Sequence, residues 1–275
     1  RRHVAQADET VVDMAIEAAR EAIESAQLDL HEVDLVLFAT CTPARKMPSS
    51  AADLHRALGL KPGVPALDLN AACSGFVYAA VIADQFIRAG TARCVLVVGA
   101  DKMTELIDWS DRSTCILFGD GAGAAVFKAD NTPGILSTYL GGDGGYSDLL
   151  YTRDDPDLSR AILHMSGREV FKHASKTLEA LVDAVLVPVG LTRDDVDWLV
   201  PHQANLRIIK MTAKLLKLPM DRVVMSIEDH ANTSAASIPL ALNEACRQGR
   251  IQSGEHLLLE AFGAGFTWGS LVLQY

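Results

Sequence analysis

Cys73 stands in Ala71-Ala72-Cys73-Ser74-Gly75, where a strand pattern over residues 66–70 gives way to a helical one over 74–89. At a helix start, unpaired backbone N–H groups and the positive end of the dipole favour thiolate over thiol. The small neighbours leave room for a substrate to reach the sulfur. A free cysteine is most often simply buried, and Cys41, Cys94, Cys115 and Cys246 read that way from strand or helix-interior settings. His202, in Pro201-His202-Gln203-Ala204-Asn205, directly follows a strand pattern. A lone histidine is more often structural, but ligands gather outside the carboxyl ends of strands in open α/β sheets. His230 comes close to such a setting and could instead help position Asn232. Asn232 begins Asn232-Thr233-Ser234-Ala235. Asparagine is a good helix N-cap, so catalysis by this amide requires that it face a cavity while Thr233 or Ser234 takes the cap. Phe262-Gly263-Ala264-Gly265-Phe266 follows a strand ending at Ala261. It could aim a backbone N–H at a developing oxyanion, or be a plain turn. A thiol, an imidazole and a carboxamide together are equipment for acyl chemistry.

Such side chains need elements to hold them. Apolar spacing predicts helices over 10–26, 49–58 and 74–89, and strands over 33–40, 66–70, 94–99 and 122–127. The second half repeats the first, with a helix over 167–188, a strand over 196–200 and a helix over 206–217. A short strand over 223–226, a helix over 234–248 and strands over 256–261 and 270–274 complete it. Val196-Asp197-Trp198-Leu199-Val200 echoes Val33-Asp34-Leu35-Val36-Leu37. Cys73 lies 17 residues before Gly90, and Asn232 lies 17 residues before Gly249. Any α/β chain yields chance echoes; the matched offsets favour an internal duplication, with halves 1–133 and 134–275 divided in the Asn, Thr, Pro, Gly cluster at 131–134. Like halves pack about a pseudo-twofold axis, which would bring the two helix starts to one shared site. The alternation of strands and helices predicts an α/β fold with mostly parallel sheet covered on both faces. Residues 119–123 and 141–145 match neither GxGxxG nor GxxxxGK[ST], so they read as hairpins or bulges rather than phosphate loops.

The 275 residues are 49% hydrophobic and 22% charged, the balance of a globular protein, which excludes disorder. A formal charge of −10 argues against general nucleic-acid binding. The apolar runs reach strand length and fall short of a membrane span, and the chain opens with no secretory pattern. Five widely spaced cysteines without a CxxC pair suit a reducing cytosol and offer no metal site. Against the acidic background, residues 198–220 contain no Asp or Glu but carry Arg207, Lys210, Lys214 and Lys217. On a helix these four fall within an arc of about 80°. A charge run is usually a solvated face; this one starts beside His202 and would suit a phosphate-bearing or acidic partner.

The runs Ala71-Ala72-Cys73-Ser74-Gly75-Phe76, Phe118-Gly119-Asp120-Gly121-Ala122-Gly123-Ala124-Ala125, Val200-Pro201-His202-Gln203-Ala204-Asn205 and His230-Ala231-Asn232-Thr233-Ser234-Ala235-Ala236-Ser237 resemble the β-ketoacyl-acyl-carrier-protein synthase III family. So does Glu260-Ala261-Phe262-Gly263-Ala264-Gly265-Phe266-Thr267-Trp268-Gly269, and the likeness covers nearly the whole chain. It implies a thiolase fold, two duplicated βαβαβαββ halves in a five-layered α-β-α-β-α arrangement, and a cytoplasmic homodimer. It also implies the first condensation of type II fatty acid synthesis, between an acyl-CoA primer, acetyl-CoA being the expected one, and malonyl-acyl carrier protein. No cofactor would be permanently bound, the coenzyme A thioester being a substrate.

By the same resemblance Cys73 is the acylated nucleophile, and His202 with Asn232 is the decarboxylation pair. The backbone N–H groups of Cys73 and Ala264 form the oxyanion hole; Ala264 stands where a glycine is often found, which a main-chain contribution tolerates. Phe262, Gly167 and Met47 line the site, Met47 by crossing the dimer interface. Arg112, Phe171, Ala204, Asn205 and Arg207 line the coenzyme A channel. Arg207, Lys210, Lys214 and Lys217 dock acyl carrier protein. The family pattern begins upstream of Arg1, with a first strand and with a tryptophan and an arginine that grip coenzyme A. Three alternatives stay open at this level: a papain-like protease, which shares the order Cys, His, Asn; a starter synthase of specialised polyketide pathways; and a non-catalytic metabolite-binding homologue.

Overall fold

The computed structural model describes residues 1–132, 134–157 and 160–275. The N-terminal part runs α1 (Val11–Ser25), β1 (Leu35–Ala39), α2 (Ser50–Leu58), β2 (Ala66–Leu69), α3 (Gly75–Arg88), β3 (Cys94–Lys102) and β4 (Asp120–Lys128). The C-terminal part runs β5 (Ile135–Gly142), β6 (Leu150–Asp155), β7 (Arg160–Met165), α4 (Gly167–Leu186), β8 (Trp198–Pro201) and α5 (Leu206–Leu216). It ends with the single turn α6 (Ile227–His230), then α7 (Ser237–Arg247), β9 (His256–Gly263) and β10 (Thr267–Gln274). Pro133, at the expected boundary between halves, lies outside the described residues.

Alternation of side chains along the strands builds the layers. Leu35, Leu37 and Ala39 of β1 and Val95 and Val97 of β3 face a central layer of α3 and α7. Trp198, Val200, Leu257, Leu259 and Ala261 meet the same helices from the other sheet. The intervening residues Val36, Phe38, Leu96 and Val98 pack outward under α1 and α2. Leu199, Leu258 and Val272 pack outward under α4 and α5. Two sheets thus alternate with three helical layers, the five-layered order of the thiolase fold. Alanines on the facing helices (Ala79, Ala80 and Ala83; Ala235, Ala241 and Ala245) let a thin central layer fit between the sheets.

The sheets are mixed, which corrects the expectation of a mostly parallel one. Their orders are β2-β1-β3-β4 and β5-β10-β9-β8. Among the described strand pairs, β1 with β2, β1 with β3 and β8 with β9 run parallel. The pairs β3–β4, β9–β10 and β5–β10 are antiparallel, because β4 and β10 each return beside the preceding strand without a crossover helix. The expected strand over 223–226 is a single bridge between Val223 and Leu199. There the buried Gln203 amide replaces a ladder, donating to the Val224 carbonyl and accepting from the N–H groups of Ser226 and Ile227.

The 119–123 run is neither hairpin nor bulge: β4 keeps unbroken register with β3 from Asp120 to Lys128. Its glycines give close approach to α7, since a Cβ on Gly123 would lie 2.9 Å from the Leu240 nitrogen. Gly141 and Gly142 likewise end strand β5. The antiparallel pair β6–β7 is an addition that the sequence pattern did not predict. Gly90 and Gly249, the matched helix ends, both take positive φ (72° and 65°), where glycine carries no steric penalty.

Candidate active site

A cavity of about 400 Å³ lies under α4 and α5 at the carboxyl ends of β8 and β9. Cys73, His202 and Asn232 all line it, so the thiol, imidazole and carboxamide predicted from separate halves converge. Ala264, Phe262, Gly167, Phe171, Ala204 and Asn205 line it as well.

Cys73 sits in a 3-10 turn between β2 and α3. Ala72 before it has φ 48°, and on the opposing loop Ala231 (59°) and Ser234 (51°) are also left-handed. Non-glycine residues in that region cost about 1–3 kcal/mol each and persist only where the surroundings hold them. Both loops that present the chemistry are therefore strained; Asp101 clamps the second of them to the 40–42 segment. Its buried carboxylate accepts from the Cys41 N–H at 2.7 Å, the Thr40 and Thr42 hydroxyls at 3.1 and 3.0 Å, and the Ala235 N–H at 3.1 Å.

Burial pushes the Cys73 thiol up to about 12, with the Ser234 hydroxyl pulling partly back and Asp101 adding to the rise. The expectation of a resting thiolate is thereby corrected: desolvation outweighs the helix start, and the site rests as a thiol. Among the described residues, the N–H groups of Cys73 and Ala264 have no protein acceptor outside their own residue, as an oxyanion hole requires. Gly263 allows that turn to abut Cys73. A Cβ there would lie 2.9 Å from the Cys73 nitrogen and 3.0 Å from that of Ser74. Gly263→Ala should cost about 1–3 kcal/mol in stability and slow acylation of Cys73, read by melting and by the rate of acyl-adduct formation. An unchanged adduct rate would show that the loop tolerates displacement.

His202 is 5% exposed, and burial holds its imidazole down at about 4, so the ring is neutral. Its Nδ1 meets the Ser237 hydroxyl at 2.6 Å, and that oxygen accepts from the Gln203 N–H at 3.3 Å. With no other acceptor among the described residues, the Ser237 O–H donates to Nδ1, which assigns the ring proton to Nε2. Asn232 does not cap α7. Its Oδ1 accepts from the Ser234 N–H at 2.9 Å, and its Nδ2 has no acceptor among the described residues. Both groups therefore offer N–H donors to the cavity. His230 packs against the ring of His3 instead, tilted with centroids 5.2 Å apart.

The remaining expected residues divide. Phe262 lies on the ring of Phe266, centroids 4.7 Å apart. Asn205 caps α5, its Oδ1 accepting from the N–H groups of Arg207 and Ile208. Arg112 and Arg207 are exposed next to the lining residues Ser113 and Asn205, rather than in the wall itself. Met47 is 82% exposed and outside the cavity of its own chain. Arg207, Lys210 and Lys214 project from α5, and none is in an ion pair among the described residues. Lys217 departs from the predicted helix face: α5 stops at Leu216, and Lys217 is its left-handed C-cap (φ 56°).

Three residues in or beside the cavity escaped sequence reasoning. Ser237 orients His202. Cys41 lines the cavity with its Sγ 3.8 Å from the Ser234 Oγ, although it had read as structural. Glu260, a lone acid within Leu257-Leu258-Leu259-Glu260-Ala261-Phe262, is 1% exposed; that interruption of an apolar run was the available signal.

A five-layered fold that brings a cysteine from one half against a histidine and an asparagine from the other defines a condensing enzyme of the acyltransferase type. The comparisons narrow this. The C-terminal domain of 3-oxoacyl-[acyl-carrier-protein] synthase III matches residues 186–275, and that family's preceding domain matches residues 67–144. Beta-ketoacyl-[acyl-carrier-protein] synthase III of Alkalilimnicola ehrlichii is 53% identical over 100% of this chain and 87% of its own. The crystal structure of 3-oxoacyl-[acyl-carrier-protein] synthase III from Aquifex aeolicus superposes with a TM-score of 0.94 at 43% identity, covering 100% of this chain and 87% of that one. The priming β-ketosynthase of the R1128 polyketide pathway superposes with a TM-score of 0.93 at 39% identity, covering 99% and 84%. The chain belongs to the β-ketoacyl-[acyl-carrier-protein] synthase III family. The protease alternative ends there.

Proposed function

We propose that this chain carries out the initiating condensation of type II fatty acid synthesis, with Cys73 as acyl acceptor and His202 and Asn232 as the decarboxylation pair. The observation that carries the reading is the convergence of these three groups on one cavity, with free N–H donors on two of them. In primer transfer the Cys73 sulfur bonds to the acyl carbon and the bond from that carbon to the coenzyme A sulfur breaks. The thiol proton goes to the departing sulfur. The tetrahedral oxyanion rests on the N–H groups of Cys73 and Ala264. Malonyl-acyl carrier protein follows. Its carboxylate leaves as carbon dioxide while His202 Nε2–H and Asn232 Nδ2–H hold the enolate oxygen. The enolate carbon then attacks acyl-Cys73 and displaces the sulfur. Intact-protein mass spectrometry over a panel of acyl-CoAs tests this: one acyl group per chain, discharged by malonyl-acyl carrier protein, is the expected result. No adduct with any primer would end the reading. The 39% identity to a polyketide priming synthase keeps a chain-starting role in specialised metabolism as the second reading, which product analysis with several primers separates.

The exposed cations of α5 beside the cavity, on a chain of net charge −10, fit an acidic carrier protein and the phosphates of coenzyme A. The double variant Arg207→Glu, Lys214→Glu should raise the KM for malonyl-acyl carrier protein several-fold and leave kcat nearly unchanged. An effect confined to acyl-CoA kinetics would assign the stripe to the primer alone. Arg112, Phe171, Ala204 and Asn205 fit the walls and mouth of a coenzyme A channel, with the thioester as substrate and no resident cofactor. The exposed Met47 fits a reach into the second subunit of a homodimer, and residues 1–133 and 134–275 act as the two halves. Among the described residues no helix is long and apolar enough to cross a membrane; five free cysteines fit a cytoplasmic setting.

A further inference from the structure

The condensation half-reaction consumes a proton. Malonyl thioester carboxylate and acyl-Cys73 become β-ketoacyl thioester, carbon dioxide and a Cys73 thiolate, and the thiolate must be protonated before the next primer binds. In a site that holds the thiol up at about 12, that thiolate is a strong base. His202 is a poor supplier, since a neutral imidazole is a very weak acid and its Nε2–H is engaged on the enolate oxygen.

The same cavity holds another proton. Glu260 lines it from β9, two residues before Phe262 and on the same strand face. Its backbone carbonyl accepts from the His202 N–H at 2.8 Å, which ties it directly to the catalytic loop. Among the described residues, neither carboxyl oxygen meets strict hydrogen-bond geometry with a protein group, nor do the buried hydroxyls of Ser270 and of Thr212, which lies near the carboxyl. Thr212 comes from α5, and Ser270 is the register partner of Glu260 on β10. Toward β8 the register partner is Pro201, and the α4 residues in this wall, Ala174 and Leu178, are apolar. Among the described residues no charged side chain opposes the carboxyl. Burial pushes it up to about 8, and only the Thr212 hydroxyl pulls the other way. An isolated buried carboxylate would be prohibitive, so the group is a neutral acid at neutral pH. Glu260 and Thr212 of the cavity wall, with Ser270 beside Glu260 on β10, are orphaned polar groups that suit internal water.

We propose that Glu260 is the proton-holding residue of the condensation half-reaction, passing its proton through water held with Thr212 and Ser270 to the Cys73 sulfur as that sulfur leaves the acyl carbon. Water takes back a proton from solvent and returns Glu260 to the acid before the next turnover. The step rests on the acyl-Cys73 reading above. Primer transfer balances without it, because there the thiol proton leaves on coenzyme A.

The test separates the half-reactions in Glu260→Gln and Glu260→Asp. In the wild type, single-turnover condensation from pre-formed acyl-enzyme should fall as pH rises through about 8. In Glu260→Gln it should drop on the order of a hundredfold, the scale of general-acid catalysis, and lose that pH dependence, while primer transfer persists. Glu260→Asp, which keeps a carboxylic acid, should recover part of the rate and of the pH dependence. A Gln variant that condenses at the wild-type rate with the wild-type pH profile overturns the proposal. So do variants in which both half-reactions and the melting temperature fall together, since that is a packing role. Absence of any acyl adduct on the wild type is a different failure: it removes the acyl-enzyme reading itself.

Discussion

Cys73→Ala should emerge from incubation with an acyl-CoA at its unmodified mass. The prediction is sharp because Cys41 shares the cavity and is the one other thiol positioned to compete. Burial, with the Asp101 carboxylate adding to it, pushes the Cys41 thiol well above its ordinary value. Its N–H is already spent on Asp101, so no oxyanion hole forms at that residue. Acyl transfer should therefore fall to background rather than move to the neighbour. Decarboxylation of the malonyl thioester should survive in Cys73→Ala, since neither donor is touched. An acylated variant, mapped by peptide mass to Cys41, would reassign the nucleophile.

His202→Ala and Asn232→Ala should each form acyl-Cys73 and then stall. Each removes one N–H from the position where charge develops on the enolate oxygen, and losing such a donor costs on the order of a hundredfold or more, about 2.7 kcal/mol upward. Carbon dioxide release from malonyl-acyl carrier protein, measured on pre-acylated enzyme, gives the rate directly. The double variant should fall less than the product of the two single losses, because donors that share one oxygen act as a unit. If His202→Ala fails to accept the primer, the imidazole serves the first stage and its assignment here is wrong. Ser237→Ala offers a milder version, because it frees the ring to exchange tautomers without removing it.

The helices were legible because their ends carry local chemistry. Thr10 and Asp13 form a capping box, Ser49 caps α2, and Gly90 and Gly249 close the two central helices. The paired offsets of Cys73 and Asn232 from those glycines were enough to place both residues at one site. Direction within the sheets was not legible, since a strand returning antiparallel has the same apolar run as one that crosses over. β6 and β7 were missed because this pair stands outside the two main sheets, and Tyr151, Thr152, Arg153 and Asp154 are exposed. The ionisation of Cys73 was misread for a different reason. Its helix-start position is local and visible, whereas the burial that dominates is set by tertiary packing. Ser237 meets His202 from a position distant in sequence, so that contact follows only from the fold; Glu260 left one visible trace, an acid inside an apolar run.

Asp101 has an evolutionary consequence for a molecule assembled from two copies of one ancestral unit. Once duplicated, such copies are free to drift, and a greasy interlayer of alanines would tolerate small slippage between them. One sequestered carboxylate that grips the Cys41 amide in one copy and the Ala235 amide in the other removes that tolerance. The copies can diverge in sequence and duty, one keeping the sulfur and the other the donors, while this shared carboxylate keeps them aligned beside the cavity.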